Sequence, residues 1–451
     1  MEHLTKKDIQ LPNRLGFHYF PDFEHYSQKD LHQWLPVLQE MKAGWLVLRS
    51  PLTHAIPEDF IRPLADAGIT IVIDFQHPIG TDPVWTDLKV LLSAYGRWGV
   101  NFAMLDRDAN MRESWGNNRW ANPELISSYV HRFLEFGDLS LDHAIRPVLG
   151  PLVPGGDYWD TAFFKILASE VAAKGAAVVR ANLFLSSYGW TFERPLNWGA
   201  GGPLAWPDAV PYQTPDIEHQ NQQGFRQYEW IDAAARAFFG HSLPMILLEA
   251  GLPKHSKACN ECSVDFADQL AISSLCKGQN VYDQDHPSML LAPLPSYVRS
   301  ANFFSLSASQ SSNHPYAWFN ENGQRLMPAQ AFYIREGLPA KEVGSTPSIS
   351  LDQQAADFNF KHRRYILISD QLLDSAQEIL RTLHPLMESD KPLVGFSVED
   401  ARSSAVINYI SSDGEISQDL LDELRLAGSL VNVIHVRNIS SLLKEPNHEI
   451  N

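Results

Sequence analysis

Short apolar runs and amphipathic stretches alternate along this chain from its start to about residue 340. Leu15–Phe20 has the pattern of a strand, and Ser27–Lys42 carries apolar positions at helical spacing. Trp45–Arg49 is the next strand. A helix from Pro57 to Ala67 follows, with proline suited to a first turn and Gly68 as its stop. Ile69–Phe75 is a β-branched run of buried-strand type, and Asp87–Trp98 is helical. The same order returns in Asn101–Leu105 and Pro123–Phe136, then in Ala144–Leu149 and Tyr158–Lys174. It continues in Ala177–Phe184 and Gly224–Phe239, in Pro244–Glu249 and Ser263–Cys276, and in Ser300–Leu306 and Pro328–Glu336. Eight strand–helix units imply right-handed parallel crossovers and predict a (β/α)8 TIM barrel with long mouth loops. An open doubly wound sheet would bring a Gly-rich phosphate turn after strand one, and the sequence has none.

Beyond Leu338 the texture changes. Gly344–Ser348 is a linker signal, so the predicted organisation is a barrel at 1–340, a linker at 341–360 and a small α+β domain at 361–451. In that last segment Arg364–Ile368, Leu393–Val398, Ala405–Ile410 and Leu430–Val436 are strand-like. Ser375–Met387 and Ile416–Leu426 are helical, which gives the order βαββαβ of a ferredoxin-like unit. An accessory role in packing or homo-oligomer formation is expected for it.

Composition narrows the partners. The 451 residues hold 36 Lys+Arg against 53 Asp+Glu, a net charge of −17. A groove for nucleic acid or a patch for an anionic membrane needs clustered cations, so both are excluded as partners. The start, Met1–Asp8, is polar and leads into no apolar run, and three cysteines make no disulfide framework. A cytoplasmic protein is the expectation.

Barrel chemistry sits at the C-terminal ends of the strands. Those positions hold Asp22 and Glu24, Arg49, then Asp74, Gln76 and His77, then Asp106-Arg107-Asp108, then Ser186-Ser187-Tyr188, and finally Glu249. Glu249 follows four apolar residues, where an ionised carboxylate is costly unless it is paired or functional. A glutamate salt-bridged across the mouth, for example to Arg49, is the plain alternative.

A carboxylate ending strand four and a glutamate ending strand seven resemble the arrangement of retaining glycoside hydrolases of clan A, the group holding families 5 and 39. Leu46–Arg49 looks like the clan's strand-two arginine segment. Phe102–Trp115 is similar to its Asn-Glu-Pro-Asn segment, Pro244–Gly251 to its nucleophile strand, and Trp318–Gly323 with Pro328–Phe332 to its closing turn and last helix. The resemblance implies O-glycosidic bond cleavage by two carboxylates, with Glu249 as nucleophile, Asp108 as acid/base and Arg49 supporting the nucleophile. It implies a carbohydrate substrate and no catalytic cofactor. Asp74, His77, Arg107, Tyr188 and Trp190 would bind that substrate.

The chain departs from the clan where it has Arg107-Asp108 in place of Asn-Glu. The shorter aspartate retracts the acid by somewhat over ~1 Å, toward the gap between retaining and inverting separations of about 5–5.5 and 6.5–9.5 Å. Arg107 beside Asp108 is expected to hold it ionised, the wrong state for a general acid. The alternative is a catalytically silent sugar-binding, scaffold or regulatory barrel, which a direct ion pair from Arg107 to either carboxylate would favour. Asp106 and Glu113 are fallback acids.

Tyr188, Trp190, Phe192, Trp198, Trp206 and Tyr212 crowd the loop after strand six, and Trp115 and Trp120 the loop after strand four. Aromatic faces suit pyranose C–H faces, although a long loop also buries its own rings. Cys259, Cys262 and Cys276 with His255 are compatible with a structural zinc clip, while Cys276 also fits the buried positions of its helix.

Overall fold

The computed structural model describes residues 13–210, 212–213, 217–251, 266–282, 290–308 and 316–338. Beyond these it describes 362–369, 372, 379, 381–383, 393–402, 404–411, 420–421, 424 and 430–435. The chain divides into two compact units, Met1–Leu338 and Pro339–Asn451.

In the first unit eight parallel strands close into a barrel in chain order. They are β1 (Leu15–His18), β2 (Trp45–Ser50), β3 (Thr70–Phe75), β4 (Phe102–Met104), β5 (Arg146–Leu149), β6 (Phe184–Gly189), β7 (Met245–Ala250) and β8 (Val298–Phe303). Period-two alternation sorts their side chains. Trp45, Val47, Val72, Phe102, Met104, Val148, Phe184, Ile246 and Leu248 fill the lumen. Leu46, Leu48, Ile71, Ile73, Leu185 and Leu247 point outward and join the helices in one continuous core. Two short strands, β9 (Ser307–Ala308) and β10 (Phe319–Asn320), pair in parallel beyond β8.

The helices follow the expected signals. Ser27 and Asp30 form a capping box at the start of Gln28–Glu40, which buries Leu31, Trp34 and Leu38 at spacings of three and four residues. Each such buried side chain contributes roughly 1.5–3 kcal/mol. Gly68 stands at φ 80° behind the helix Glu58–Asp66, a conformation that glycine adopts without strain. Among the described residues no helix is long and apolar enough to cross a membrane.

One strand is corrected. Ala177–Asn182 is a helix, and β6 begins only at Phe184. In Ala177–Asn182 only Val179 is buried and Val178 is 51% exposed, so the run lacks the two covered faces of a barrel strand. A short apolar run does not by itself distinguish the two states.

The second unit mixes helices and strands as expected, but its sheet corrects the ferredoxin-like expectation. Its strands are β11 (His362–Ile368), β12 (Leu393–Gly395), β13 (Ser404–Ser411) and β14 (Leu430–His435). They lie in the order β12-β11-β13-β14, and every pair is parallel. A short helix, Val398–Ala401, turns the expected direct connection from β12 to β13 into a crossover. Ile366, Ile368 and Ile410 meet Leu372, Ile379 and Leu383 in one cluster. Tyr365, Leu367, Ile407 and Tyr409 meet Ala401, Leu421 and Leu424 in another, so both faces are covered. Helices on both faces of a parallel sheet define an open α/β unit.

Candidate active site

The charged residues at the barrel mouth converge on Arg107. Its Nη1 donates to Asp74 Oδ2 at 3.2 Å and its Nη2 to the Tyr188 hydroxyl at 3.1 Å. Nη2 also pairs directly with Glu249 Oε1. The other oxygen, Glu249 Oε2, accepts from the Trp190 indole at 3.2 Å. Tyr188 passes the chain on, donating its own proton to Asp108 Oδ1 at 2.5 Å. The two carboxyl groups are thus joined in the order Glu249, Arg107, Tyr188, Asp108.

Glu249 reaches this place through a β-bulge. Leu247 pairs with Ser187 on one side and Ala301 on the other, while Ala250 pairs with Gly189 and Phe303. Three steps on β7 therefore face two on each neighbour, so β7 carries one extra residue. Cluster membership agrees. Leu248 lies in the lumen and Ala250 in the outer core, so strict alternation is broken between them. The bulge lets Glu249, which alternation would turn outward, face the mouth with its side chain only 12% exposed.

Asp108 sits just past β4 at φ 59°, a left-handed position that aspartate tolerates better than most residues. Its backbone N–H donates to Pro151 O at 3.0 Å, which holds the turn.

These surroundings push the carboxyls apart. Burial raises Glu249, but the guanidinium of Arg107 and the hydrogen bonds from Arg107 and Trp190 carry it below the usual range. At Asp108 burial wins over Arg107 and the Tyr188 hydrogen bond, and its pKa stands at about 6. The expectation that Arg107 ionises Asp108 is thereby corrected, because its hydrogen bonds go to Glu249 and Asp74 instead. Asp74 is fully buried and raised, chiefly by desolvation and against the pull of Arg107.

Other expected site residues take different places. Asp74 is a partner of Arg107 and Gln76 with no exposed surface for substrate. Arg49 does not hold Glu249. It donates to Pro21 O at 2.6 Å, lies over the Phe304 ring and has no carboxylate partner among the described residues. Tyr188 is buried beneath Trp190, ring centroids 4.0 Å apart at 16°, so the indole covers the phenol. His77 meets the carbonyl and hydroxyl of Thr81 in its own loop, at 3.1 and 3.2 Å, and is not brought to the carboxyl pair.

The fallback acids fall away as well. Asp106 accepts from Arg132 Nε and Nη2 at 2.7 and 2.9 Å in a buried bidentate pair, and Glu113 is an exposed residue of a 3-10 turn. Several loop aromatics bond to their own surroundings. Trp115 donates to Ala109 O at 2.7 Å, Trp206 to Ala200 O at 2.9 Å and Trp198 to Asn221 Oδ1 at 3.4 Å. Cys259, Cys262 and His255 lie outside the described residues. Cys276 is buried, and burial pushes its thiol up to about 12. Among the described residues no three His, Cys, Asp or Glu gather as metal ligands.

Sequence reasoning missed His18. It ends β1, is 1% exposed, and places Nε2 2.6 Å from Leu248 O. The expected strand Leu15–Phe20 placed it mid-strand, and only the structure ends β1 at His18.

Fold and mouth together define a (β/α)8 barrel with linked carboxyls past the end of β4 and near the end of β7. No family model matches the chain, and no curated protein matches it in sequence. Among solved structures it is similar to a monomeric β-xylosidase from Caulobacter crescentus, with 11% identity over 72% of this chain and 68% of that one, TM-score 0.44. It is similar to Saccharomyces cerevisiae Gas2p in complex with laminaritetraose and laminaripentaose, with 11% identity over 74% and 67%, TM-score 0.43. A third is a GH128 endo-β-1,3-glucanase from Amycolatopsis mediterranei in complex with laminarihexaose, with 13% identity over 71% and 99%, TM-score 0.37. Likenesses of this extent carry no functional assignment.

Proposed function

We propose that the barrel binds a small glycoside or oligosaccharide and hydrolyses its O-glycosidic bond with Glu249 and Asp108. The observation that carries this reading is the arrangement of contacts at the mouth: Arg107 and Trp190 bond the two oxygens of Glu249, while Asp108 accepts from the neutral Tyr188 hydroxyl. These surroundings draw Glu249 below the usual range, and burial pushes Asp108 up to about 6. Environments that push two carboxyls apart assign one as ionised nucleophile and the other as protonated acid.

In this mechanism Glu249 attacks the anomeric carbon while Asp108 gives its proton to the departing oxygen. The Tyr188 hydroxyl, already donating to Asp108, stabilises the carboxylate left behind. That carboxylate then takes a proton from water, which attacks the glycosyl-enzyme and frees Glu249. Trp190, more open than Tyr188, offers the face for a sugar ring.

The direct Arg107–Glu249 ion pair favours a second reading, a barrel that binds sugar without cutting it. It occupies one carboxylate oxygen while Trp190 occupies the other. Wild type and Glu249→Gln, both checked for folding by circular dichroism, are assayed on a panel of aryl glycosides and titrated calorimetrically with oligosaccharides. Turnover by wild type that vanishes in the variant is expected. Equal turnover in both sinks the nucleophile assignment, and binding without turnover in wild type selects the second reading.

A further inference from the structure

The bulge that aims Glu249 is held from β8 and β1, the next two strands around the barrel. The carbonyls of Leu247 and Leu248, the two residues before Glu249, each accept a buried side-chain donor. Asn302 Nδ2, from β8, reaches Leu247 O at 2.9 Å. His18 Nε2, from β1, reaches Leu248 O at 2.6 Å. Gly16 leaves room for this, since a Cβ there would stand 2.1 Å from Asn302 Oδ1. A carbonyl only accepts, so the neutral His18 ring carries its proton on Nε2 and leaves Nδ1 bare. Among the described residues the buried Nδ1 has no hydrogen-bond partner, and the ring lies 5.1 Å from the Phe304 ring.

We propose that His18 is a positioning residue for Glu249: its Nε2–H fixes the Leu248 carbonyl, and with it the bulge that presents Glu249 to Arg107 and Trp190. Three observations meet in this assignment: the extra residue on β7, the clamp on the peptide just before Glu249, and the burial of the clamping ring. The inference deepens the reading of Glu249 as the reacting carboxylate and rests on it for its catalytic meaning. Its structural content stands without turnover. Burial also pulls the ring's pKa down to about 3, so the clamp keeps one protonation state through the neutral range.

The test uses full-length protein labelled with ¹³C-glutamate, with the Glu249 signal assigned by its loss in Glu249→Gln. His18→Phe keeps an aromatic ring against Phe304 but removes the donor, whereas His18→Gln restores an N–H near the Nε2 position. His18→Phe is expected to raise the Glu249 titration midpoint by about one pH unit or more, a tenfold change in proton affinity. His18→Gln is expected to lie close to wild type. Where wild type cleaves an aryl glycoside, kcat falls in His18→Phe with KM nearly unchanged. An unchanged Glu249 midpoint in folded His18→Phe overturns the proposal. Should that variant not fold, the wild-type His18 ¹⁵N shifts decide: Nε2-protonated without titration near 6.5 supports the clamp, and an Nδ1 proton or ordinary titration refutes it. Wild type that cleaves nothing removes the hydrolase reading but leaves the Glu249 midpoint to decide the clamp.

Discussion

Replacing Asp108 by Asn should stabilise the barrel, and only at the higher pH. Asp108 has a folded-state pKa of about 6 against an ordinary value of 3.8. Its folded pKa is raised, so between those two values the folded chain binds more protons than the unfolded chain. Stability therefore falls as pH rises through the window. A shift of about two units at 1.36 kcal/mol each amounts to about 3 kcal/mol at full ionisation, an upper figure because the side chain keeps some solvent. About 2 kcal/mol of it should develop between about pH 4.5 and 7.5. Asn keeps an oxygen for the Tyr188 hydroxyl, so the bond at 2.5 Å need not be lost. The assay is urea denaturation of both proteins across that range. All twelve tryptophans lie at or before Trp318, so their fluorescence follows the first unit. The stability difference should grow with pH in favour of Asp108→Asn and level off above about 7. A difference that stays flat, or one that grows in favour of wild type, would refute the burial argument and imply an Asp108 ionised by Arg107. If the protein hydrolyses glycosides, the same variant should lose that activity while gaining stability.

Other outcomes follow from the same contacts. If the protein hydrolyses glycosides, the basic limb of kcat/KM should fall near pH 6, where Asp108 loses its proton, as a pH–rate profile would show. Tyr188→Phe removes a donor that favours the Asp108 carboxylate, so that limb should move to higher pH. Arg107→Met leaves Asp74 and Glu249 without their guanidinium and should cost about 3–5 kcal/mol in urea denaturation. Arg132→Met, which strands buried Asp106, should cost a similar ~3–5 kcal/mol, with much of it recovered by adding Asp106→Asn.

The barrel was legible because strand alternation and helical spacing are local, and lumen residues such as Val47 and Ile246 follow them. Glu249 was legible because a carboxylate after an apolar run is costly. Its neighbours were less so. The register of β2 and β3 sets Arg49 beside Asp74, yet the guanidinium bonded to Asp74 comes from Arg107 past the end of β4. Strand position says which residues reach the mouth, and side-chain reach across it decides who pairs with whom. The β7 bulge leaves no mark in Met245–Ala250, because an extra residue is defined only against the neighbouring strands. The second unit turned on four residues, Val398–Ala401, too short a helix for periodicity to register.

Arg107 is the cation on which the mouth converges, and what it does depends on which carboxyl it touches. Had the guanidinium bonded Asp108, both acids would be held ionised and no proton donor would remain. Instead it bonds Glu249, which a displacement mechanism needs ionised, and its hydrogen-bonded path to Asp108 runs through a neutral phenol, leaving only its charge to act there directly. A phenol donor favours a carboxylate less than a guanidinium does, so burial dominates at Asp108 and leaves it protonated below about pH 6. In the proposed mechanism the ion pair therefore constrains the nucleophile without removing the acid. What it would add to that mechanism is a barrier, since a sugar would have to approach Glu249 beside a guanidinium already bonded to it. Whether binding energy from the rest of the sugar repays that displacement is the physical difference between the cutting barrel and the silent one.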